Sequence, residues 1–284
     1  MNTPTVLVIG ATGTVGSALV PELKGQGVNV RAMVRDPARA VPGVENVVAD
    51  LRDPDALMTA MKDVHAVFLN SPSTEDAADL QKRVAFLAQN VGVSRLVPLS
   101  QYAARADSPV RFLRWHADVE NYVSQLDLDV TVLRPNLYMQ GLFAFAGTIA
   151  HGWFGAPIGA AAVSAIDTRD IAASAAAVLT GQGHGGRTYT LTGPRAVTHD
   201  EIAEAMAAAT SREVVFRDVP PGEFAAALAD AVPPWQLDGL VEDYAHYARG
   251  EAAEVHTSVT DLTGRPARDI TEFARDHAAV FTPA

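Results

Sequence analysis

The stretch Val6-Leu7-Val8-Ile9-Gly10-Ala11-Thr12-Gly13-Thr14-Val15-Gly16 decides the fold. Four successive aliphatic residues ending on a glycine read as a parallel strand covered on both faces. The helical run Ser17–Lys24 follows at once, so the three glycines fall in a strand-to-helix turn. Each glycine answers a different demand. The turn must be free of Cβ clashes, a pyrophosphate must reach the main chain, and the helix must start close against the sheet. The helix start adds amides and the positive end of its dipole. The spacing is G-x-x-G-x-x-G, with the middle glycine one place later than in the commonest dinucleotide pattern. Gly10, Thr12, Gly13, Thr14, Val15 and Gly16 are therefore expected to hold a dinucleotide pyrophosphate. A nucleoside triphosphate loop is not indicated, since no Gly-Lys-Ser/Thr follows.

Outward from this turn, Thr5–Gly10, Val28–Arg35, Val44–Asp50, His65–Asn70, Arg95–Ser100 and Asp129–Arg134 read as strands, with helical patterns between most of them. The alternation predicts an α/β protein with a doubly wound parallel sheet of the Rossmann type. Ligand-binding residues are expected at successive strand ends. Arg35 follows the second strand, where arginine favours an adenosine 2′-phosphate and hence NADP (NADPH). The alternative is Asp36 accepting from the ribose of NAD. Asp50 and Leu51 would flank the adenine, and Asn70, Ser71 and Pro72 lie where the crevice opens.

The segment Asn136–Ile166 contains no Asp, Glu, Lys or Arg. It is long enough to cross a bilayer as a helix, but Gly141, Gly147, Gly152, Gly155, Pro157 and Gly159 interrupt it. A pocket wall or mobile lid over residues 137–165 is expected instead. Arg187–Thr192 reads as a further strand and Thr168–Leu179 as an alanine-rich helix. From Ala196 helices dominate, beginning with Thr198 as N-cap and Glu201 at capping-box spacing. Glu213–Val219 is a candidate small strand. The expected organisation is a nucleotide-binding domain over 1–195 and a smaller carboxyl-terminal substrate lobe over 196–284.

Composition narrows the functional classes. The 284 residues carry 22 Lys and Arg against 33 Asp and Glu, a net charge of −11, which repels nucleic acid and anionic membranes. Mean hydropathy is only +0.08, as in a globular protein. There is no cysteine, hence no disulfide, thiolate metal site or thiol nucleophile. No metalloprotease or serine-hydrolase motif occurs, and no metal site is expected. The cytoplasm is the default location, and a monomer or homodimer the expected state.

Taken together, Val8–Gly16, Val34-Arg35-Asp36-Pro37, His116 with Glu120, Leu133-Arg134-Pro135-Asn136 with Tyr138-Met139, Asp167–Ala172 and Leu262-Thr263-Gly264-Arg265-Pro266 resemble the NmrA-like group of atypical short-chain dehydrogenases/reductases. That resemblance spans nearly the whole chain. It implies a Rossmann-type domain, a small substrate lobe and a reduced nicotinamide cofactor. The group includes quinone and dye reductases, atypical ketoreductases and redox-sensing regulators.

Ordinary members of that superfamily pair a serine after the fifth strand with Tyr-x-x-x-Lys on the next helix. Here Ser100 ends the strand, but the helix carries Phe112 and His116. The spacing survives and the phenolic acid does not. His116 has three readings: a contact to the cofactor ribose, a proton donor, or a helix pair with Glu120. Tyr102 is the other candidate acid. Ser100, His116 and Tyr102 form the expected catalytic set, with Ser100 polarising the acceptor oxygen. Pro135 and Asn136 join the cofactor contacts. Gln101, Tyr138, Phe143, Trp153 and Phe154 are expected to meet a flat apolar substrate, with ordinary lobe packing as the alternative for each aromatic. The expected activity is an NADPH-dependent reductase of a carbonyl or quinone in an aromatic or polyketide-like molecule. The alternative is a non-catalytic NAD(P)-sensing regulator.

Overall fold

A computed structural model describes residues 4–282. The chain forms two compact units whose segments interleave. The first comprises the chain up to Ala106, Trp115–Arg134 and Thr168–Thr190. The second comprises Asp107–Arg114, Pro135–Asp167 and the chain from Leu191 onward. The single boundary expected between residues 195 and 196 is thus replaced by a path that leaves and re-enters each unit.

In the first unit the order is β1 (Thr5–Ile9), α1 (Gly16–Gly25), β2 (Asn29–Val34), β3 (Glu45–Val48), α2 (Pro54–Met61), β4 (Ala66–Leu69), α3 (Ala77–Asn90) and β5 (Arg95–Pro98). Helix α4 (Arg111–Val123) and strand β6 (Asp129–Val130) follow. The six strands form one parallel sheet in the order β3-β2-β1-β4-β5-β6, the doubly wound arrangement expected from the sequence. Side chains alternate across it. Leu7 and Ile9 of β1 join Leu57 and Met61 of α2, Val84 and Ala88 of α3, and Val119 and Val123 of α4 in one core. Val6 and Val8, also fully buried, face the other way, where α1 packs with α6 (Thr168–Thr180). Local signals place the ends: Asp53 accepts from the amides of Asp55 and Ala56 with Pro54 behind it, which starts α2. Buried Arg95 fastens β5 to the end of α6, donating to the carbonyls of Val178, Leu179 and Gly181 and to the Asp129 carboxylate.

The continuous apolar run expected as one sixth strand breaks at Thr131. Beyond it, β7 (Val132–Pro135) pairs with β9 (Thr188–Leu191), while Leu133 keeps a parallel bridge to Leu99 just after β5. Thr131 is fully buried and its hydroxyl donates to the His184 carbonyl, so a polar anchor sits where the strand changes partner.

The second unit holds α5 (Ala146–Ala150), β8 (Trp153–Ala156), α7 (His199–Thr210), β10 (Val215–Asp218), α8 (Pro221–Leu228), α9 (Pro234–Ala248), α10 (Ser258–Thr263) and α11 (Ile270–Asp276). Strands β8 and β10 pair in parallel, and β8 was not anticipated from its glycine-rich sequence. The uncharged segment, expected as a pocket wall or lid, contributes Met139, Leu142, Ile149, Phe154 and Ala165 to the same core as Ile202 and Met206 of α7 and Phe273 of α11. Gly141, Phe143, Gly147 and His151 within it are exposed. Thr198 and Glu201 form the anticipated capping box at the start of α7. Among the described residues no helix is long and apolar enough to cross a membrane.

Candidate functional site

The glycine turn of the first unit separates what the fold requires from what a ligand requires. Gly10 has φ +79°, and a Cβ on it would lie 2.4 Å from the Asn70 carbonyl oxygen. A Cβ on Gly16 would lie 2.1 Å from the Gly10 oxygen. Both positions exclude any other residue on internal grounds. Gly13 differs: its φ is ordinary and its nearest contact would be the Gly10 oxygen at 3.3 Å, while its own amide donates to that oxygen at 2.9 Å. Gly13 and Thr14 are exposed, Thr12 is half-buried and Val15 is buried. No side chain caps the start of α1 and no acidic residue lies in its first turn, so nothing offsets the positive end of that helix. The arrangement fits a diphosphate resting on the main chain.

At the end of β2, Arg35 is exposed. Asp36 beside it accepts a hydrogen bond from the Ala38 amide at 2.9 Å and caps the short 3-10 turn Pro37–Arg39. After β3, the Asp50 carboxylate accepts from the Arg52 amide and Leu51 is buried. After β4, Ser71 Oγ accepts from Gln81 Nε2 at 2.8 Å, which leaves the serine proton directed elsewhere. Asn70 and Ser71 are half-buried and Pro72 is exposed.

The end of β5 holds a network that the sequence did not disclose. Buried Ser100 donates from Oγ to the Glu120 carboxylate on α4. Arg134 on β7 donates to the same carboxylate from Nε at 2.9 Å and also through Nη2. The pair is partly buried, with the Glu120 side chain 11% exposed and that of Arg134 28%. With its proton directed at Glu120, Ser100 does not have it available to polarise an acceptor oxygen. That expected role is corrected to one in which Ser100 offers lone pairs. His116 lies one turn before Glu120. Desolvation, reinforced by the Arg134 charge and only partly countered by Glu120, lowers its pKa to about 4. At neutral pH it is an uncharged imidazole. Tyr102 is buried, and Ala103 after it has φ +58°.

Phe112, where a catalytic tyrosine would stand, is a packing residue of the second unit. Its ring meets Trp235 edge-on at 6.2 Å, and its Cζ lies 2.2 Å from where a Cβ on Gly239 would be. Asn136 is likewise committed internally. Its amide group donates to Ser164 Oγ and the Ala252 carbonyl, and its oxygen accepts from the Leu137 amide. Those bonds use both side-chain protons, so a side-chain donor contact to the cofactor is not available from Asn136. Pro135 is buried at the end of β7.

The second unit contains an apolar pocket of about 50 Å³, lined by Tyr138, Met139, Leu142, Phe154, His199 and Tyr244 among others. Tyr138 and Phe154 were anticipated as substrate contacts. Phe143 stacks instead on Phe273 and Phe281, and Trp153 lies under the Arg217 guanidinium at 4.5 Å. Burial raises the pKa of both pocket tyrosines and lowers that of His199 to about 4. Gln101 belongs to the first unit. Among the described residues no cluster of three metal-ligating side chains occurs.

The chain as a whole is similar to known proteins. The chain is 36% identical over 285 residues to an NAD(P)H azoreductase of Xenophilus azovorans, covering 98% of this chain and 100% of that one. It is 34% identical over 285 residues to a (4-alkanoyl-5-oxo-2,5-dihydrofuran-3-yl)methyl phosphate reductase of Streptomyces griseus, covering 98% and 99%. Among solved structures, the NADPH-dependent quinone oxidoreductase QOR2 of Escherichia coli, complexed with NADPH, superposes with a TM-score of 0.86 at 25% identity, covering 96% of this chain and 99% of that one. The sequence model of the NmrA-like family matches residues 2–261. That span runs from the first strand and its glycine turn into the helices of the second unit, and the chain belongs to the NmrA-like family.

Proposed function

We propose that the protein is an NADPH-dependent reductase acting on quinones, azo compounds or ketones within flat, neutral aromatic or polyketide-like molecules. The turn Gly10–Gly16 carries this reading. Its first and third glycines are demanded outright by the fold, whereas a Cβ on the middle one would crowd the Gly10 oxygen at 3.3 Å, a milder conflict to which a ligand lying against the main chain adds its own demand. The azoreductase and reductase relatives at 36% and 34% identity support the reaction class. Arg35, exposed after β2, supports NADPH over NADH as a partner for a 2′-phosphate, while one Asp36 oxygen is used in capping the turn at Ala38.

Bound nicotinamide supplies the hydride. The chain supplies binding, orientation and control of protons. Gly13 and the start of α1 receive the diphosphate, and Ser71, with Gln81 donating to its oxygen, directs its own proton toward ligand. Ser100, donating to Glu120, takes an N–H or O–H from its ligand and holds it in place. His116, uncharged at neutral pH, accepts or donates one hydrogen bond without adding a cationic acid. The proton that completes reduction comes from water or from the substrate itself. Quinones and azo groups suit such a site because their reduced forms gain protons readily.

The test is loss of reduced-nicotinamide absorbance with a panel of quinones, azo dyes and polycyclic ketones. Turnover with NADPH exceeding that with NADH is expected. Tight NADPH binding with no turnover across the panel would assign the protein to the sensing class instead.

A further inference from the structure

His199 is the first residue of α7, directly after the Thr198 cap. A polar residue there ordinarily faces solvent. Here the side chain is 3% exposed and ringed by Phe216 at 5.1 Å, Phe154 at 6.0 Å and Tyr244 at 6.3 Å. Its Nδ1 is closed to solvent and has no hydrogen-bond partner. Leaving a buried polar group unmatched destabilises a fold, a penalty that phenylalanine in the same space would not incur. The fold therefore leaves Nδ1 at this position without a partner of its own.

The same ring lines the second unit's pocket. Tyr138 and Tyr244 are its companions there, the other lining residues are apolar or glycine, and no Asp, Glu, Lys or Arg takes part. An ionised ligand group would lose its hydration without compensation, so the pocket selects a neutral one. The uncharged imidazole offers one N–H and one lone pair. At about 50 Å³ the pocket is smaller than the roughly 150 Å³ that admits a whole benzene ring. It takes the edge of one ring with its substituent, the remainder of the ligand staying outside.

We propose that this pocket is a subsite for the oxygen-bearing end of a neutral aromatic ring, the oxygen of a phenol, quinone or aryl ketone, and that His199 is its hydrogen-bonding partner and specificity-determining residue. The inference rests on the reductase reading only in calling that ring a substrate. The recognition itself stands on the second unit.

The full chain, without cofactor, is titrated with p-cresol, acetophenone and toluene by calorimetry, while the imidazole nitrogen signals of His199 are followed by NMR. Binding of p-cresol or acetophenone is expected to be at least about tenfold tighter than that of toluene, with the His199 signals moving. A gain confined to p-cresol assigns the lone pair as the recognising group, and one confined to acetophenone assigns the N–H. His199→Phe should abolish the discrimination while retaining toluene. His199→Gln, which keeps a donor and an acceptor, should restore part of it, and it serves as the informative variant if phenylalanine impairs folding. Equal binding of all three probes, binding of none, or discrimination that survives in both variants overturns the proposal. Failure of the reductase reading would look different: no oxidation of NADPH, with the probe discrimination intact.

Discussion

Ser100 gives its hydroxyl proton to Glu120, the carboxylate that Arg134 clasps from β7. A serine at the end of the fifth strand, the place of an oxyanion donor in ordinary relatives of the superfamily, is thereby turned into an acceptor by two residues that follow it in the chain.

Ser100→Ala should accordingly raise the KM for NADPH and lower kcat by less than about tenfold, whereas removing a true oxyanion donor costs about 10²–10³ in kcat. Glu120→Gln should act more on stability. It leaves the partly buried Arg134 without its counter-ion, and a loss of about 1–3 kcal/mol is expected by denaturant titration. A loss in kcat for Ser100→Ala of a hundredfold or more would restore the serine to the oxyanion role.

Gly13→Ala and Gly16→Ala should part company. The first should be mildly destabilised, its Cβ crowding the Gly10 oxygen at 3.3 Å, yet lose NADPH affinity in calorimetry out of proportion because it occupies the diphosphate's approach. The second should be destabilised outright, its Cβ falling 2.1 Å from the Gly10 oxygen. Unchanged NADPH affinity in Gly13→Ala would remove the phosphate assignment.

Arg35→Ala is expected to weaken NADPH by tenfold or more, about 1.4 kcal/mol or greater, and to leave NADH nearly unaffected. Asp36→Ala should lower stability by about 0.5–2 kcal/mol through loss of the cap, without a matching loss of NADH affinity. Equal losses of both nucleotides in Arg35→Ala would contradict a 2′-phosphate contact.

Phe112→Tyr should not create a faster enzyme. The ring tip already abuts Gly239 on α9, so an added hydroxyl has to displace that helix backbone. A destabilisation of about 1–3 kcal/mol is expected, and measured turnover should not rise.

Acid should destabilise the fold through His199 and His116, whose folded pKa values of about 4 lie below the ordinary imidazole value of 6.5. Between those values the unfolded chain binds more protons, so their contribution is complete above pH 6.5 and is lost as pH falls toward 4. His199 is buried outright and should carry the larger share. In His199→Phe the fall in Tm across this window should be smaller by about 5 °C. Parallel pH profiles for wild type and variant would show that the imidazole titrates normally.

The Rossmann half of this architecture was legible because its signals are local, aliphatic runs and a glycine turn, and so was the start of α7 in the second unit, from a cap three residues from its glutamate. What escaped reading depends on contacts distant in sequence. Glu120 stood four residues from His116 and read as its helix partner, while its real partners, Ser100 and Arg134, are brought in by β5 and β7. The break at Thr131 is not evident in a nearly continuous apolar run, since the partner of its hydroxyl, the carbonyl of His184, is distant in sequence. Nothing local singles out His199, which is buried by Phe154, Phe216 and Tyr244 from three separate elements. Asn136 was read as a ligand contact because its position follows a strand, yet its amide latches Ser164 and Ala252.

The interleaved path of the chain bears on how such proteins can be re-engineered. Because the second unit is assembled from Asp107–Arg114, Pro135–Asp167 and everything after Leu191, no single crossover between two homologous genes can transplant it whole. A chimera joined at one point would inherit half of a core from each parent. Grafting acceptor preference from one relative to another therefore calls for three coordinated exchanges, or for point changes confined to the pocket.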